Sequence, residues 1–324
     1  MRLFTILLGL ACLIHLPAAS AAERVRLYVG NAEQATFIIT RDLEKQIALP
    51  AGIDFEVRPT SGAPDILYKM REGRGVQWAL IQADAIAAYQ LAVAAGNAEA
   101  AGLIAPLRLI APISQEDLYF FVRSDSPLNF IHEIRDARIN LGEPRSGTAL
   151  TAALLYRNLF GTPLPDTQAS FRSHREALVK LTEKTVDVVA LVAPRPAKIL
   201  SDMKPEARGF VKLLKNDPTH AGSTALASLY APTTIPLATY PNLLSEDLPA
   251  LTVPVYLVSH GHDALQARFG AAVCQQPAFE PRAALAPGWQ RSILFEQGMQ
   301  ACREGTPPRP ARCTSEDRVL GLCH

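Results

Sequence analysis

Short apolar runs alternate with helical stretches along most of the chain, and this alternation constrains the fold more than any other feature. Residues 25–29, 76–81 and 186–192 are runs of apolar and β-branched side chains that predict strands. Further strands are predicted over 54–58, 118–123 and 252–259, and helices over 64–72, 83–102 and 148–160. Asp84 is expected to cap the helix predicted over 83–102. Strands that alternate with helices form mostly parallel sheets with helices on both faces. The sequence therefore predicts an α/β fold.

Two segments are predicted to carry the chain between two lobes, and 324 residues suffice for two hydrophobic cores. One is the polar stretch 123–129, and the other is 228–236, where an apolar run meets Pro232. A further predicted strand and helix then return to the first lobe. The predicted division is a discontinuous first lobe (22–123 and 233–304), a second lobe (124–232) and a disulfide-tied C-terminal tail (305–324).

The N-terminus has the pattern of an export signal. A basic start leads into an apolar run up to residue 16, Pro17 ends the run, and small residues follow at 19–21. We expect a signal peptide of residues 1–21 and a periplasmic protein. An uncleaved anchor fits less well because the run is short, and a lipoprotein site at Cys12 lacks the usual preceding leucine. With 32 Lys and Arg against 31 Asp and Glu, no charge excess favours nucleic acid as a partner.

Four cysteines lie in the last fifth of the chain: Cys274, Cys302, Cys313 and Cys323. In an oxidising compartment they predict two disulfides, for which three pairings are possible. We favour Cys274–Cys302 with Cys313–Cys323. Zinc is the alternative, and it fits less well because the sequence has no Cys-x-x-Cys pair.

The stretch 142–148 predicts a site for an anion. It is a tight turn after a predicted strand, and Thr148 is expected to begin a helix whose first N–H groups have no partner within the helix. Arg145 within the turn offers a guanidinium that can bind a carboxylate through two hydrogen bonds. The pattern favours capture of a small anionic solute.

Other candidates follow strands or lie in the first loop of the chain. The turn at Thr60 and Ser61 precedes a helix, where it forms either a ligand site or merely a helix cap. Gln82 ends a strand at the sheet edge where α/β proteins bind ligands. Arg123 would supply a second positive charge. The predicted ligand-binding residues are Asn31, Gln34, Thr36, Thr60, Ser61, Gln82, Arg123, Arg145, Ser146, Gly147 and Thr148.

No catalytic pattern stands out in the sequence. Ser146 lacks the flanking glycines of a nucleophile elbow, and no phosphate-binding loop or dinucleotide fingerprint is present. His260 and His262 do not form part of a recognisable metal-ligand pattern. We therefore expect no enzyme activity, cofactor or metal.

In this order, the motifs resemble those of the TAXI family of solute receptors, which serve TRAP transporters. The resemblance rests on Thr-Ser-Gly-Ala at 60–63, the phrase at 75–84 that ends Gln-Ala-Asp, Val-Arg-Ser-Asp-Ser at 122–126, Leu-Gly-Glu-Pro-Arg-Ser-Gly-Thr at 141–148, and the segment 286–298. It implies a two-lobed, hinge-linked periplasmic binding protein with an α/β sheet in each lobe. Such a receptor is usually a monomer that captures an organic acid or amino acid and delivers it to a TRAP-type membrane permease.

The chain departs from the family pattern where a ligand would be touched. Its first loop, 30–37, is bulkier and carries an acid, and Arg145 replaces a glycine of the binding turn. A receptor for an ABC importer, a ligand sensor for a membrane receptor and a periplasmic enzyme therefore remain as alternatives.

Overall fold

The computed structural model describes residues 22–30, 34–276 and 289–305, and for residues 34–38 it describes the backbone alone. The predicted signal peptide, Asn31, Cys313 and Cys323 lie outside the described residues, as do the side chains of Gln34 and Thr36. In the described part of the chain, ten strands form one mixed sheet, and helices flank it. The predicted α/β class is confirmed.

The first half of the sheet contains three parallel strands in the order β2-β1-β3. Each of them is followed by a helix, so the predicted βα alternation is correct here. The residue ranges are β1 Glu23–Val29, α1 Gln34–Leu43, β2 Ile53–Pro59, α2 Ala63–Glu72, β3 Gln77–Gln82, α3 Ala85–Ala94 and α4 Ala98–Ile104.

One helix predicted over 83–102 is two helices in the structure, α3 and α4. Gly96 lies between them with φ of 89°, a conformation that glycine adopts without strain. The side chain of Asn97 then accepts a hydrogen bond from the Ala100 N–H and caps α4. The prediction of one helix was wrong because the alanine-rich composition outweighed this turn signal.

The second half contains short parallel strands and four helices among the residues described. β5 pairs with both β6 and β7 in parallel. The ranges are β5 Ile139–Asn140, α5 Gly147–Phe160, β6 Ala169–Ser170, α6 His174–Thr182, β7 Val188–Ala193, α7 Lys198–Ser201, β8 Val211–Leu213, α8 Ala221–Leu226 and β9 Ala231–Ile235.

Two long antiparallel strands join the halves: β4 Leu107–Arg123 and β10 Leu248–His260. β10 pairs with β3 of the first half through residues 255–259 and with β9 of the second half through residues 248–252. β4 pairs with β7 from Asp117 onward. The predicted lobe limits at 123 and 233 stay a prediction, and this pairing favours limits inside the two long strands.

Three hydrophobic clusters hold the fold together. One lies in the first half and includes Trp78 and Phe269, and another lies in the second half and includes Tyr119 and Tyr240. The third extends across both halves, from Ile66 on α2 to Leu155 on α5. Helices α2 and α3 therefore pack against α5 in this conformation.

The last two helices lie beside the first half: α9 Leu265–Cys274 and α10 Ile293–Arg303. A disulfide joins them through Cys274 and Cys302, as the sequence analysis favours. Among the described residues, no helix has the length and apolar character needed to cross a membrane.

Candidate solute-binding cleft

A cleft of about 450 Å³ lies between the two halves. Its first wall is the turn before α2, with Ser61 and Gly62, and its second wall is the start of α5, with Ser146, Gly147 and Thr148. The strands supply the floor: Gln82 ends β3, and Ser114 and Glu116 lie within β4. Both halves thus contribute to one site, at the sheet edge where the βα turns end.

The start of α5 leaves two backbone donors unused. The Ser146 hydroxyl accepts a hydrogen bond from the Ala149 N–H at 3.1 Å and so caps the helix. The Thr148 hydroxyl accepts from the Val192 N–H at 3.1 Å and thereby ties the helix start to β7. Within the described part of the chain, the N–H groups of Gly147 and Thr148 donate to no protein acceptor. Unpaired amides and the positive end of the helix dipole both favour an anion here.

The turn before α2 is already satisfied by the chain itself. The buried Thr60 hydroxyl donates to the Val29 carbonyl at 2.9 Å and accepts from the Gly62 N–H at 3.1 Å. The Ser61 N–H donates to the Asp65 carboxylate at 3.1 Å. Burial raises the pKa of Asp65, but the Ser61 N–H and Lys69 outweigh it, so that this pKa lies below its ordinary value.

The two walls touch each other through glycines. A Cβ atom on Gly62 would lie 2.4 Å from the Gly147 nitrogen, and a Cβ on Gly147 would lie 2.2 Å from Nε2 of Gln82. Gly62 also has a φ of 142°, a value that residues with a side chain rarely adopt. At position 62 only glycine permits this approach, because the atoms that a Cβ would meet belong to the backbone, so the structure shows the cleft with its walls in contact.

Glu116 is a floor residue that the sequence analysis missed. It is half-buried, and one of its carboxylate oxygens accepts a hydrogen bond from Gln82 Nε2 at 2.8 Å. The predicted strand began only at residue 118, whereas β4 begins at Leu107 and carries Glu116 across the cleft. An acid inside a long strand that passes from one half to the other is the signal that could have found it.

The predicted residues fall into four groups. Ser61, Gln82, Ser146, Gly147 and Thr148 line the cleft together. The Thr60 hydroxyl stabilises the turn before α2 through its hydrogen bonds. Asn31 and the side chains of Gln34 and Thr36 lie outside the described residues, so their roles stay predictions.

The two predicted arginines do not line the cleft. Arg123 lies at the far end of β4, where its guanidinium is hydrogen-bonded to Asp125. The middle of β4 lines the cleft instead, because the strand extends well before residue 118, and a ligand role for Arg123 stays a prediction. Arg145 is exposed, and its charge contributes to the lowered pKa of Asp65 on the opposite wall.

A second contact between the halves lies beneath the cleft. The hydroxyl of Tyr230 donates to the Asp84 carboxylate at 2.8 Å, and both side chains are buried. Burial raises the pKa of Asp84 to about 6, although the Tyr230 hydroxyl opposes this effect. Asp84, expected to cap α3, makes no side-chain cap hydrogen bond there and instead contacts the second half.

Two α/β halves, two strands that pass between them and a cleft lined by both define the class of a two-lobed solute-binding protein fold. The chain belongs to the NMT1-like family, whose model matches residues 34–264. No curated protein matches it.

Several solved structures resemble the chain at low identity. The arginine-, lysine- and histidine-binding protein ArtJ from Geobacillus stearothermophilus is 11% identical, with 77% of this chain and 87% of ArtJ covered and a TM-score of 0.45. The periplasmic binding protein BugD is 14% identical, with coverages of 87% and 95% and a TM-score of 0.47. PhnD1 from Prochlorococcus marinus, in complex with methylphosphonate, is 10% identical, with coverages of 93% and 99% and a TM-score of 0.46.

Proposed function

We propose that the protein is a periplasmic receptor that encloses a small solute bearing a carboxylate in the cleft between its halves. The observation that carries this proposal is the start of α5, which lines the cleft and where the Gly147 and Thr148 amides donate to no acceptor among the described residues. A carboxylate there would accept charge-assisted hydrogen bonds, each worth roughly 1.5–3 kcal/mol.

The walls favour a clamp mechanism. Ser61 and Gln82 would touch the solute from the first half, and Ser146, Gly147 and Thr148 would touch it from the second. A solute that contacts both walls stabilises the conformation in which they meet, because the open conformation cannot make both sets of contacts. β4 and β10, which connect the halves, are the elements about which such a motion would occur.

The TAXI resemblance supports a TRAP-type permease as the partner that receives the solute. Uptake of the captured solute in cells that carry this protein would then stop when the ion gradient is collapsed. Uptake that persists without the gradient and requires ATP would instead identify an ABC importer.

The solute site is tested by calorimetry on the purified protein with pairs of carboxylates and their neutral amides, such as succinate with succinamide and alanine with alaninamide. We expect the carboxylate of at least one pair to bind and its amide to bind at least roughly tenfold more weakly, which corresponds to about 1.4 kcal/mol. Equal affinity of carboxylate and amide throughout would exclude the amides of α5 as an anion site.

A further inference from the structure

The charged groups of the cleft differ in exposure. Glu116 is half-buried on the floor, whereas the two permanent cations among the described lining residues, Arg175 and Lys198, are exposed. Lys198 is moreover paired with Asp202 at an N–O distance of 2.7 Å. His174 is half-buried on the second wall, but an imidazole is not permanently charged at neutral pH. Among the described lining residues, the half-buried permanent charge is therefore the negative charge of Glu116.

The carboxylate of Glu116 and the amides of α5 are separated by little more than one side-chain amide. Gln82 Nε2 hydrogen-bonds Glu116, and the same nitrogen lies so near Gly147 that a Cβ there would be 2.2 Å from it. A negative group and a backbone anion site this close together suit a solute whose own positive and negative groups are adjacent. A simple carboxylate at the same place would be repelled by Glu116.

Much of the remaining lining is apolar, although Ser114 and Ser173 also belong to it. The apolar lining includes Ile39, Ile66, Leu80, Leu191, Ile199 and Val255. Cavities of this size and lining bury apolar solute groups, and burial of a second carboxylate without a partner is strongly unfavourable. The apolar part of the described lining thus favours a hydrocarbon group of the solute over a second carboxylate.

We propose that the solute is an α-amino acid with an apolar side chain. Its carboxylate would bind the Gly147 and Thr148 amides, its ammonium group would bind Glu116, and its side chain would occupy the apolar lining. This inference rests on the proposed function, since it assumes that the start of α5 binds the carboxylate. It makes Glu116 the residue that distinguishes amino acids from plain organic acids.

The test compares amino acids with analogues that lack one group, by calorimetry on the purified protein. Leucine and phenylalanine are paired with their des-amino analogues, isocaproate and hydrocinnamate, and glutamate and glutarate serve as diacid probes. Each probe is measured with the wild type, with Glu116→Gln and with Glu72→Gln, a control that removes the same charge from an exposed position far from the cleft lining.

We expect leucine or phenylalanine to bind the wild type and its des-amino analogue to bind at least roughly 30-fold more weakly, because loss of one partner of a buried charge pair costs that much or more. Glu116→Gln should lose a similar factor for the amino acid and leave isocaproate affinity unchanged or improved, with the melting temperature of the unliganded protein kept. Glu72→Gln should bind as the wild type does.

Two results would overturn the inference while leaving the proposed function intact. If isocaproate and leucine bind equally well and Glu116→Gln has no effect on either, Glu116 does not contact the solute. If glutamate or glutarate binds more tightly than leucine, the solute does not have an apolar side chain. Absence of binding by every carboxylate would overturn the proposed function as well.

Discussion

The two helix starts that face each other across the cleft, α2 and α5, are built alike but differ in what their N–H groups bind. Each follows a strand through a short turn with a glycine at the closest approach. At α2 the Asp65 carboxylate accepts from the Ser61 N–H, whereas at α5 only the Ser146 hydroxyl serves as a cap. At the start of α2 the anion is the Asp65 carboxylate of the chain itself, whereas at the start of α5 an anion would have to come from a bound solute.

The largest effect is expected from Gly62→Ala, which adds a methyl group where the two helix starts touch. A Cβ at this position would meet the Gly147 nitrogen at 2.4 Å and the Ser146 carbonyl carbon at 2.8 Å, both backbone atoms that cannot rotate away. The walls would be forced apart, and solute affinity should fall by roughly 100-fold, equivalent to about 3 kcal/mol.

Gly75→Ala is the matched control for this variant, because Gly75 also has a positive φ, of 79°, and its Cβ would meet nothing within 4 Å. Both variants should lose stability from backbone strain, by roughly 1–3 kcal/mol, and only Gly62→Ala should lose affinity in calorimetry. Equal affinity of the two variants would show that contact of the walls is not needed for binding.

The next effect concerns the contact that Asp84 makes with the second half beneath α5. Its pKa is raised from 3.8 to about 6, so the folded state binds a proton more tightly than the unfolded chain does. The resulting stabilisation is complete below pH 3.8 and is lost as the pH rises through 6. It amounts to about 2–3 kcal/mol.

Chemical denaturation of the wild type and of Asp84→Asn at several pH values measures this effect. The unfolding free energy of the wild type should fall by that amount relative to the variant between pH 4 and pH 7. Tyr230→Phe, which removes the hydroxyl bonded to Asp84, should shift the transition to higher pH. Parallel curves for wild type and Asp84→Asn would mean that the carboxyl does not titrate in this range.

A smaller effect distinguishes the Asp65 contact in the turn before α2 from the Ser146 cap of α5. Asp65→Ala and Ser146→Ala should each lower the unfolding free energy at pH 7 by about 1 kcal/mol. Because the pKa of Asp65 is lowered on folding, its contribution is present above pH 3.8 and is lost as the pH falls below that value. The contribution of the Ser146 hydroxyl does not titrate.

Denaturation at pH 7 and at pH 2 therefore distinguishes the contribution of Asp65 from that of Ser146. At pH 2 the Asp65→Ala variant should approach the stability of the wild type, and Ser146→Ala should keep its deficit. If both deficits vanish together, the two helix starts do not differ in the way described above.

Much of the fold could be predicted from local patterns, because β1 and β2 alternate apolar with polar residues and β3 contains an apolar run. β1, β2 and β3 lie within a residue or two of their predicted positions. The long strands β4 and β10 were predicted only in part. β4 carries polar residues from Ser114 to Asp117, where it crosses the cleft and its apolar pattern is interrupted. Strand pairing with both halves holds it extended there, and pairing is not visible in a local pattern.

The candidate site shows the same limit. The turns before α2 and α5 could be predicted because glycine and hydroxyl residues favour turns and helix caps locally. The contact of Gln82 with Glu116 and the influence of Arg145 on Asp65 join residues that are distant in sequence. Which charged side chain reaches the cleft is decided by the length of a strand and the direction of a turn, neither of which the sequence analysis could measure.

The smallest effect is expected from Arg145→Ala, although the sequence alone predicts that Arg145 binds the carboxylate of the solute. The side chain is exposed and lies outside the cleft lining, and the charge it acts on is that of Asp65 across the wall contact. Exposed charges in water interact weakly and are screened by salt. Solute affinity at physiological ionic strength should therefore change less than roughly threefold, which is within 1 kcal/mol.

Calorimetry at low and at high salt tests this expectation, with Arg123→Ala as a second variant whose arginine is half-buried and paired with Asp125. A small loss for Arg145→Ala that disappears at high salt, with no loss for Arg123→Ala, would fit an arginine that attracts the two walls to each other. A tenfold loss that survives high salt would mean that the guanidinium turns inward and binds the solute directly. The start of α5 would then hold its anion by a side-chain charge as well as by its amides, and the contrast with α2 would be one of charge rather than of unpaired N–H groups.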